Sequence, residues 1–444
     1  MTEIAPLKAL RYAAERFASD APMLVAPPYD VIGDQDRADL EAASAENVVH
    51  LILPRGDGDA KYTDAGARFR AWEQSGIFQR DEEPAFYSYT QRFQPPGRPG
   101  AQLVVRRGFL ALVRLAPFSE RIVLPHERTL AGPKLDRLML FRQCVANLSP
   151  GFMLYEDPTM SLDGVLDGAK EIARFTTHDG IEHVLGRISD EASMAQIAAQ
   201  VRSSKLLIAD GHHRYETAVA YRDEVRAAHG GTVDEAAESE YFMCFLANGA
   251  DPGLLVFPTH RVVHALPSFD SAALLVKLSD YFEIKEFAGE PLRETIEARL
   301  RISPEIPTFV LYAAGFGTKV LRLRSTASLG DHPVMRHLPE PLRSTDVAVL
   351  HGAIFEHALG ITKEAQAAKT NLKYVQAIDD GLLEVSRGKG QLFVAMNPTP
   401  VKTVRAVSES GEVMPQKSTY FYPKVLTGLA FHTLQPERRV HRIV

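Results

Sequence analysis

The chain has 444 residues, 45% hydrophobic and 24% charged, the balance of a globular protein with room for two or three domains. Its 50 Lys and Arg against 56 Asp and Glu leave a net charge of −6, which argues against a duplex-binding protein but leaves room for a local basic pocket. Two cysteines, Cys144 and Cys244, exclude a disulfide framework and a CxxC zinc site, and there is no apolar run of about 18 residues and no basic-then-apolar start over the first ten positions, so the expectation is a cytoplasmic protein that engages neither membrane nor nucleic acid.

In chain order, Ala26-Pro27-Pro28-Tyr29-Asp30 is a rigid extended turn that fixes Asp30 in position. Helical patterns follow over 35–43 and 60–74. Residues 85–93 alternate as a strand does, a Pro/Gly-rich turn follows, and 102–115 read as a second strand, which makes a hairpin with a longer loop. The loop Pro125-His126-Glu127-Arg128-Thr129 precedes a helix over 133–146. Residues 206–209 are a short apolar strand that runs directly into Asp210-Gly211-His212-His213-Arg214, and from Arg214 to about Ala228 the pattern is helical, with Ala218, Val219 and Val225 near one face. Beyond 266 a separate α+β unit is expected: a helix capped by Asp270, a strand over 281–287, a helix over 292–300, a hairpin around Gly315-Phe316-Gly317, a helix over 346–359 and a strand over 392–396.

Asp210-Gly211-His212-His213-Arg214 carries the most chemistry. A strand, a glycine turn and a helix start form a context in which amides and the helix dipole favour an anion. Arg214 suits bidentate phosphate contact, the histidines can donate to phosphoryl oxygens, and Asp210 can hold Mg²⁺ or orient a hydroxyl. The competing readings are a polar helix start capped by Asp210, a zinc or iron site on Asp210, His212 and His213 (awkward, because adjacent helical side chains diverge), and a site on His213 with Glu216 that lacks a second zincin histidine. Glu127 is the second candidate, a loop carboxylate able to serve as general base for an alcohol. Of the remaining segments, Lys417-Ser418-Thr419 with Lys424 can clamp a phosphate or carboxylate, or else pack their aromatic neighbours Tyr420, Phe421 and Tyr422 on the core. Thr259-His260-Arg261 stands at a strand end, where a core or surface histidine is the simpler reading.

Leu-Pro-His-Glu-Arg-Thr at 124–129 and Leu-Ile-Ala-Asp-Gly-His-His-Arg-Tyr at 207–215 resemble the signatures of free-serine kinases of the ParB/sulfiredoxin-like superfamily. The chain as a whole resembles the family known as domain of unknown function 1015, over 26–32, 47–54, 124–129, 207–218, 257–263 and 414–424. The resemblance implies that Glu127 is the base on the serine hydroxyl, that Asp210 lies by the transferring phosphoryl group, and that His212, His213 and Arg214 form the phosphate-binding turn. One departure is the spacing: Glu127 and Asp210 are 83 positions apart, so an inserted element is expected over 160–199. A sulfiredoxin-like reductase would need a cysteine in the turn, and a ParB-like partition protein a basic helix-turn-helix downstream; neither pattern is present.

The expectation is therefore an α+β protein with a ParB/sulfiredoxin-like core over 101–265, flanked by α+β regions over 1–100 and 266–444. The resemblance implies phosphoryl transfer from ATP, ADP or pyrophosphate to the hydroxyl of free L-serine, with Mg²⁺ on Asp210. Glu127 and Asp210 would be catalytic, and His126, Thr129, Gly211, His212, His213, Arg214, Lys417, Ser418 and Thr419 would bind substrate or phosphate. A nucleotide-binding regulatory protein and a metal-dependent phosphohydrolase are the alternatives.

Overall fold

The computed structural model describes residues 1–443 apart from Pro99, Leu130 and Ala288. They form two compact units, the first from Met1–Pro125, Thr129–Leu255 and Pro423–Val444, the second from His126–Arg128 and Val256–Tyr422. Both mix helices and sheets, so the chain is α+β.

The first unit is built on a nine-stranded mixed sheet. Its strands are β1 (Ile4–Ala5), β2 (Phe86–Phe93), β3 (Val104–Arg114), β4 (Val123–Leu124), β5 (Gly151–Tyr155), β6 (Lys170–Thr176), β7 (Glu182–Ile188), β8 (Leu206–Asp210) and β9 (Tyr241–Asn248). Their order is β4-β8-β5-β9-β3-β2-β7-β6, with β1 beside β3. The expected hairpin is β2–β3, antiparallel from Tyr87 opposite Leu110 to Phe93 opposite Val104, so residues on both sides of position 100 share one sheet. The stretch 160–199 contributes β6 and β7, and β7 pairs along β2. β9 has no counterpart among the expected strands. It lies between β3 and β5 and is buried at every position, so its side chains are apolar on both faces and no alternation marks it.

Helix α1 (Ala131–Cys144) and helix α2 (His212–Ala228) belong to this unit. Tyr215, Ala218 and Tyr221 give α2 a buried stripe that joins Ile208, Phe242 and Cys244 in one core. Burying each large side chain there is worth about 1.5–3 kcal/mol. The Tyr215 hydroxyl donates to the Ala116 carbonyl at 2.8 Å and accepts the Ala116 N–H at 3.0 Å, so the ring is buried with its polar tip satisfied.

The second unit carries a six-stranded sheet of β10 (His260–Val263), β11 (Phe282–Phe287), β12 (Thr308–Ala313), β13 (Gly317–Leu323), β14 (Leu372–Val375) and β15 (Leu392–Met396), in the order β11-β13-β12-β15-β10-β14. Every pairing is antiparallel. Val262, Val310, Phe393 and Ala395 form its core with Ile296 and Leu300 of the helix Arg293–Leu300. Asp270 caps the helix Ser271–Ser279 by accepting the amides of Ala272 and Ala273. The helix expected over 346–359 is α-helical only over Asp346–Val349 and widens to a π-helix over Leu350–Ala358. Seven of its nine residues are buried, so no one-sided apolar face tells the two helix types apart.

Buried titratable groups make stability depend on pH in two directions. Burial holds the imidazole of His183 neutral down to about 4 and that of His260 down to about 3. As pH falls from about 6.5 through 4, the unfolded chain takes up protons that these native rings refuse, so the melting temperature should fall across that window. Burial pushes the Asp346 carboxyl up to about 7, which is the opposite case. Its contribution is present below about 4 and is lost as pH rises through 7. Asp346→Asn should therefore raise the melting temperature more at pH 8 than at pH 5; equal shifts at both would contradict this.

Candidate functional site

β4 and β8 are parallel neighbours, with Val123 opposite Leu206 and Leu124 opposite Leu207. Glu127 follows Leu124 by three residues, and Asp210 follows Leu207 by three. The two motifs, 83 positions apart in sequence, leave one sheet from the C-terminal ends of adjacent parallel strands, where α/β sheets commonly present ligand-binding loops.

In the first unit, Gly211 caps α2 with φ 93° and ψ 31°, a left-handed conformation that glycine adopts without strain. A Cβ at Gly211 would also come within 2.9 Å of the Arg214 Nε, so the turn and the arginine that crosses it require the same residue. Arg214 is buried; its Nη2 donates to Asp210 Oδ2 and its Nη1 to the Pro150 carbonyl. Lys424 Nζ donates to Asp210 Oδ1 at 2.9 Å. His212 is buried and His213 half-buried at the start of α2, whose first turn holds no acidic residue. Thr129 donates its hydroxyl to Glu216 Oε2 at 2.7 Å, and Lys134 Nζ donates to the same oxygen at 2.7 Å, which ties the loop after Glu127 to α2. In the Ala-Pro-Pro-Tyr-Asp turn, Asp30 is exposed and Tyr29 lies with its ring 4.0 Å from the Arg137 guanidinium.

In the second unit, the Glu127 carboxylate is held by backbone. Its Oε1 accepts the Ser418 amide at 2.9 Å and the Thr419 amide at 3.4 Å. The Met414 amide donates to the His126 carbonyl at 2.8 Å, which aligns the two chain segments. His126 is fully buried, with Nε2 at 2.8 Å from the Thr419 hydroxyl and 3.6 Å from Glu127 Oε1. Arg261, on β10, donates from Nη2 to the Lys417 carbonyl at 3.1 Å. The candidate residues thus fall into two groups: Gly211, His212, His213, Arg214 and Thr129 with Asp210 and Lys424, and His126, Lys417, Ser418 and Thr419 with Glu127.

The family model for proteins of unknown function named DUF1015 matches residues 4–348. The chain belongs to this family. No curated protein matches it significantly. Among solved structures, a conserved hypothetical protein from Pyrococcus furiosus is 14% identical, with 72% of this DUF1015 chain and 93% of the other covered at a TM-score of 0.33. A free serine kinase in complex with AMP is 13% identical, with 71% and 89% covered at a TM-score of 0.34. A mutant free serine kinase in complex with ADP is 11% identical, with 77% and 97% covered at a TM-score of 0.36.

Electrostatically, Asp210 carries a cation on each oxygen, so the side chains of Asp210, Arg214 and Lys424 together hold one excess positive charge beside a helix N-terminus. That combination suits an anion. It does not suit a protein-held metal ion. The Asp210 oxygens already face ammonium and guanidinium groups, Glu216 is engaged by Thr129 and Lys134, and among the described residues no group of three or more His, Cys, Asp or Glu is placed to hold a metal. The sequence pointed to Lys424 as a clamp for a phosphate or carboxylate and to Arg261 at a strand end, but not to the groups they meet. Among their contacts are partners far along the chain, 214 positions away for Lys424 and 156 for Arg261, and no local spacing encodes that.

Gly211→Ala should destabilise the first unit by about 1–3 kcal/mol, since it combines a left-handed non-glycine residue with a clash on Arg214. A calorimetric melt within about 0.3 kcal/mol of the unaltered protein would show that the turn has another conformation available.

Proposed function

We propose that this DUF1015 protein is a small-molecule phosphotransferase with a ParB/sulfiredoxin-like first unit, and that it moves a phosphoryl group from ATP, ADP or pyrophosphate to the hydroxyl of free L-serine. The supporting observation is the parallel β4–β8 pairing, which sends the Glu127 and Asp210 motifs off one sheet at neighbouring strand ends.

In this reading the donor's phosphates sit at the start of α2, where amides, His213 and Lys424 meet their oxygens. Lys424 then exchanges part of its contact with Asp210 for the transferring phosphoryl group, and Arg214 keeps Asp210 in place. Glu127 accepts the serine hydroxyl proton as that oxygen bonds to phosphorus. The bond from phosphorus to the bridging oxygen breaks, and the leaving group keeps its electron pair. Positioning and fixed positive charge carry most of the rate, as is usual for phosphoryl transfer. His126 and Thr419, already hydrogen-bonded to one another, shape the acceptor side with Ser418 and Lys417. A second reading, a nucleotide-binding regulatory protein without turnover, draws on the fact that Asp210 is satisfied by its own cations.

Incubating the protein with each free amino acid and ATP, ADP or pyrophosphate, read by phosphorus NMR, should yield phosphoserine. Glu127→Gln should keep donor binding and lose about 10²–10⁴-fold in turnover. Lys424→Met should weaken donor binding by about tenfold or more. Donor binding with no product under any acceptor would select the regulatory reading, and full turnover in the Gln variant would move the base elsewhere.

A further inference from the structure

Arg261 is a charged side chain with no exposure to solvent. Its Nη1 donates to the Thr259 carbonyl and its Nη2 to the Lys417 carbonyl, its Cζ lies 4.5 Å from the centre of the Tyr374 ring, and its Nε has no hydrogen-bond partner. Burying a guanidinium costs several kcal/mol, roughly, and an apolar residue of similar volume would commonly make a core at least as stable. Packing alone therefore does not account for an arginine on β10.

The contact with Lys417 does. Lys417 has φ 57°, a left-handed conformation at a residue with a long side chain. The carbonyl of Lys417 points to Arg261, and the next two amides, of Ser418 and Thr419, both point at Glu127 Oε1. Successive amides after a left-handed residue form a concave anion nest. Among the groups of this unit that face Glu127 electrostatically are Arg261 from β10, Tyr374 from β14 and His126 beside it. Burial raises the proton affinity of the Tyr374 hydroxyl and so keeps it neutral.

We infer that Arg261 is a positioning residue for the acceptor-activating carboxylate: it pins the 417–419 turn whose amides hold Glu127, and its buried charge keeps that carboxylate ionised. The inference rests on the reading of Glu127 as the base. Burial draws the Arg261 guanidinium down to about 10, which still leaves it cationic at neutral pH. No exposed ion pair is involved, so the effect should persist in high salt.

The test is carbon NMR of protein labelled at the glutamate carboxyl, with Glu127 assigned as the signal missing from Glu127→Gln. In the unaltered protein Glu127 should titrate below the ordinary value of about 4.3. In Arg261→Gln the midpoint should rise by about one unit or more. In Arg261→Lys, which keeps the charge, it should stay nearer the unaltered value. The acid limb of the kcat–pH profile should move with the midpoint, while KM for serine changes little. A Glu127 midpoint at or above about 4.3 in the unaltered protein overturns the inference without any variant having to fold. So does an unshifted midpoint in a folded Arg261→Gln. Absence of phosphorylated product in the unaltered protein counts against the kinase reading alone, because the titration still decides what Arg261 does.

Discussion

The backbone pairing of Val123–Leu124 with Leu206–Leu207 is the constraint on which the candidate chemistry depends. Two residues on each strand set the register. Because the strands are parallel, both chains run off the same edge of the sheet, one into Pro-His-Glu and the other into Asp-Gly-His-His-Arg. A slip of one residue would turn each side chain of β4 to the opposite face; the observed register sets Val123 opposite Leu206 and Leu124 opposite Leu207, all four buried. The 82 residues between Glu127 and Asp210 are accommodated without disturbing the register, because β5, β6 and β7 join the same sheet.

The two carboxylates are restrained by different means, and their chemistry differs accordingly. Asp210 has one oxygen on a guanidinium and the other on an ammonium. The two cations hold it rigidly and gather positive charge around it. Glu127 has an oxygen on two backbone amides, with Arg261 farther back. Amides orient the Glu127 carboxylate without placing a full cation directly against it. The two carboxylates thus differ in what holds them, salt bridges for Asp210 and backbone amides for Glu127.

Arg214 and Arg261 show how a core accommodates buried cations. Arg214 meets a carboxylate and a carbonyl, while Arg261 meets two carbonyls and an aromatic face. In the second arrangement the Nε meets no protein acceptor among the described residues.

Local pattern was enough for the elements whose signals are local. The β2–β3 hairpin, the helix over Ala60–Gln74, the Asp270 cap and the strand–glycine–helix turn at Asp210 were all legible in the sequence, because alternation, capping chemistry and glycine's access to positive φ act over a few residues. Membership in the DUF1015 family was legible too, since the motifs that carry it are contiguous. β9 was not legible, because a strand buried on both faces has no period, and neither was the π-helix, whose segment is buried at seven of nine positions. Tertiary structure alone decided that Arg214 turns inward to Asp210, that Lys424 reaches the same carboxylate, and that Ser418 and Thr419 spend their amides on Glu127. Those contacts join residues up to 292 positions apart, and which distant donor meets which carboxylate is set by strand order and register, which no short stretch of sequence contains.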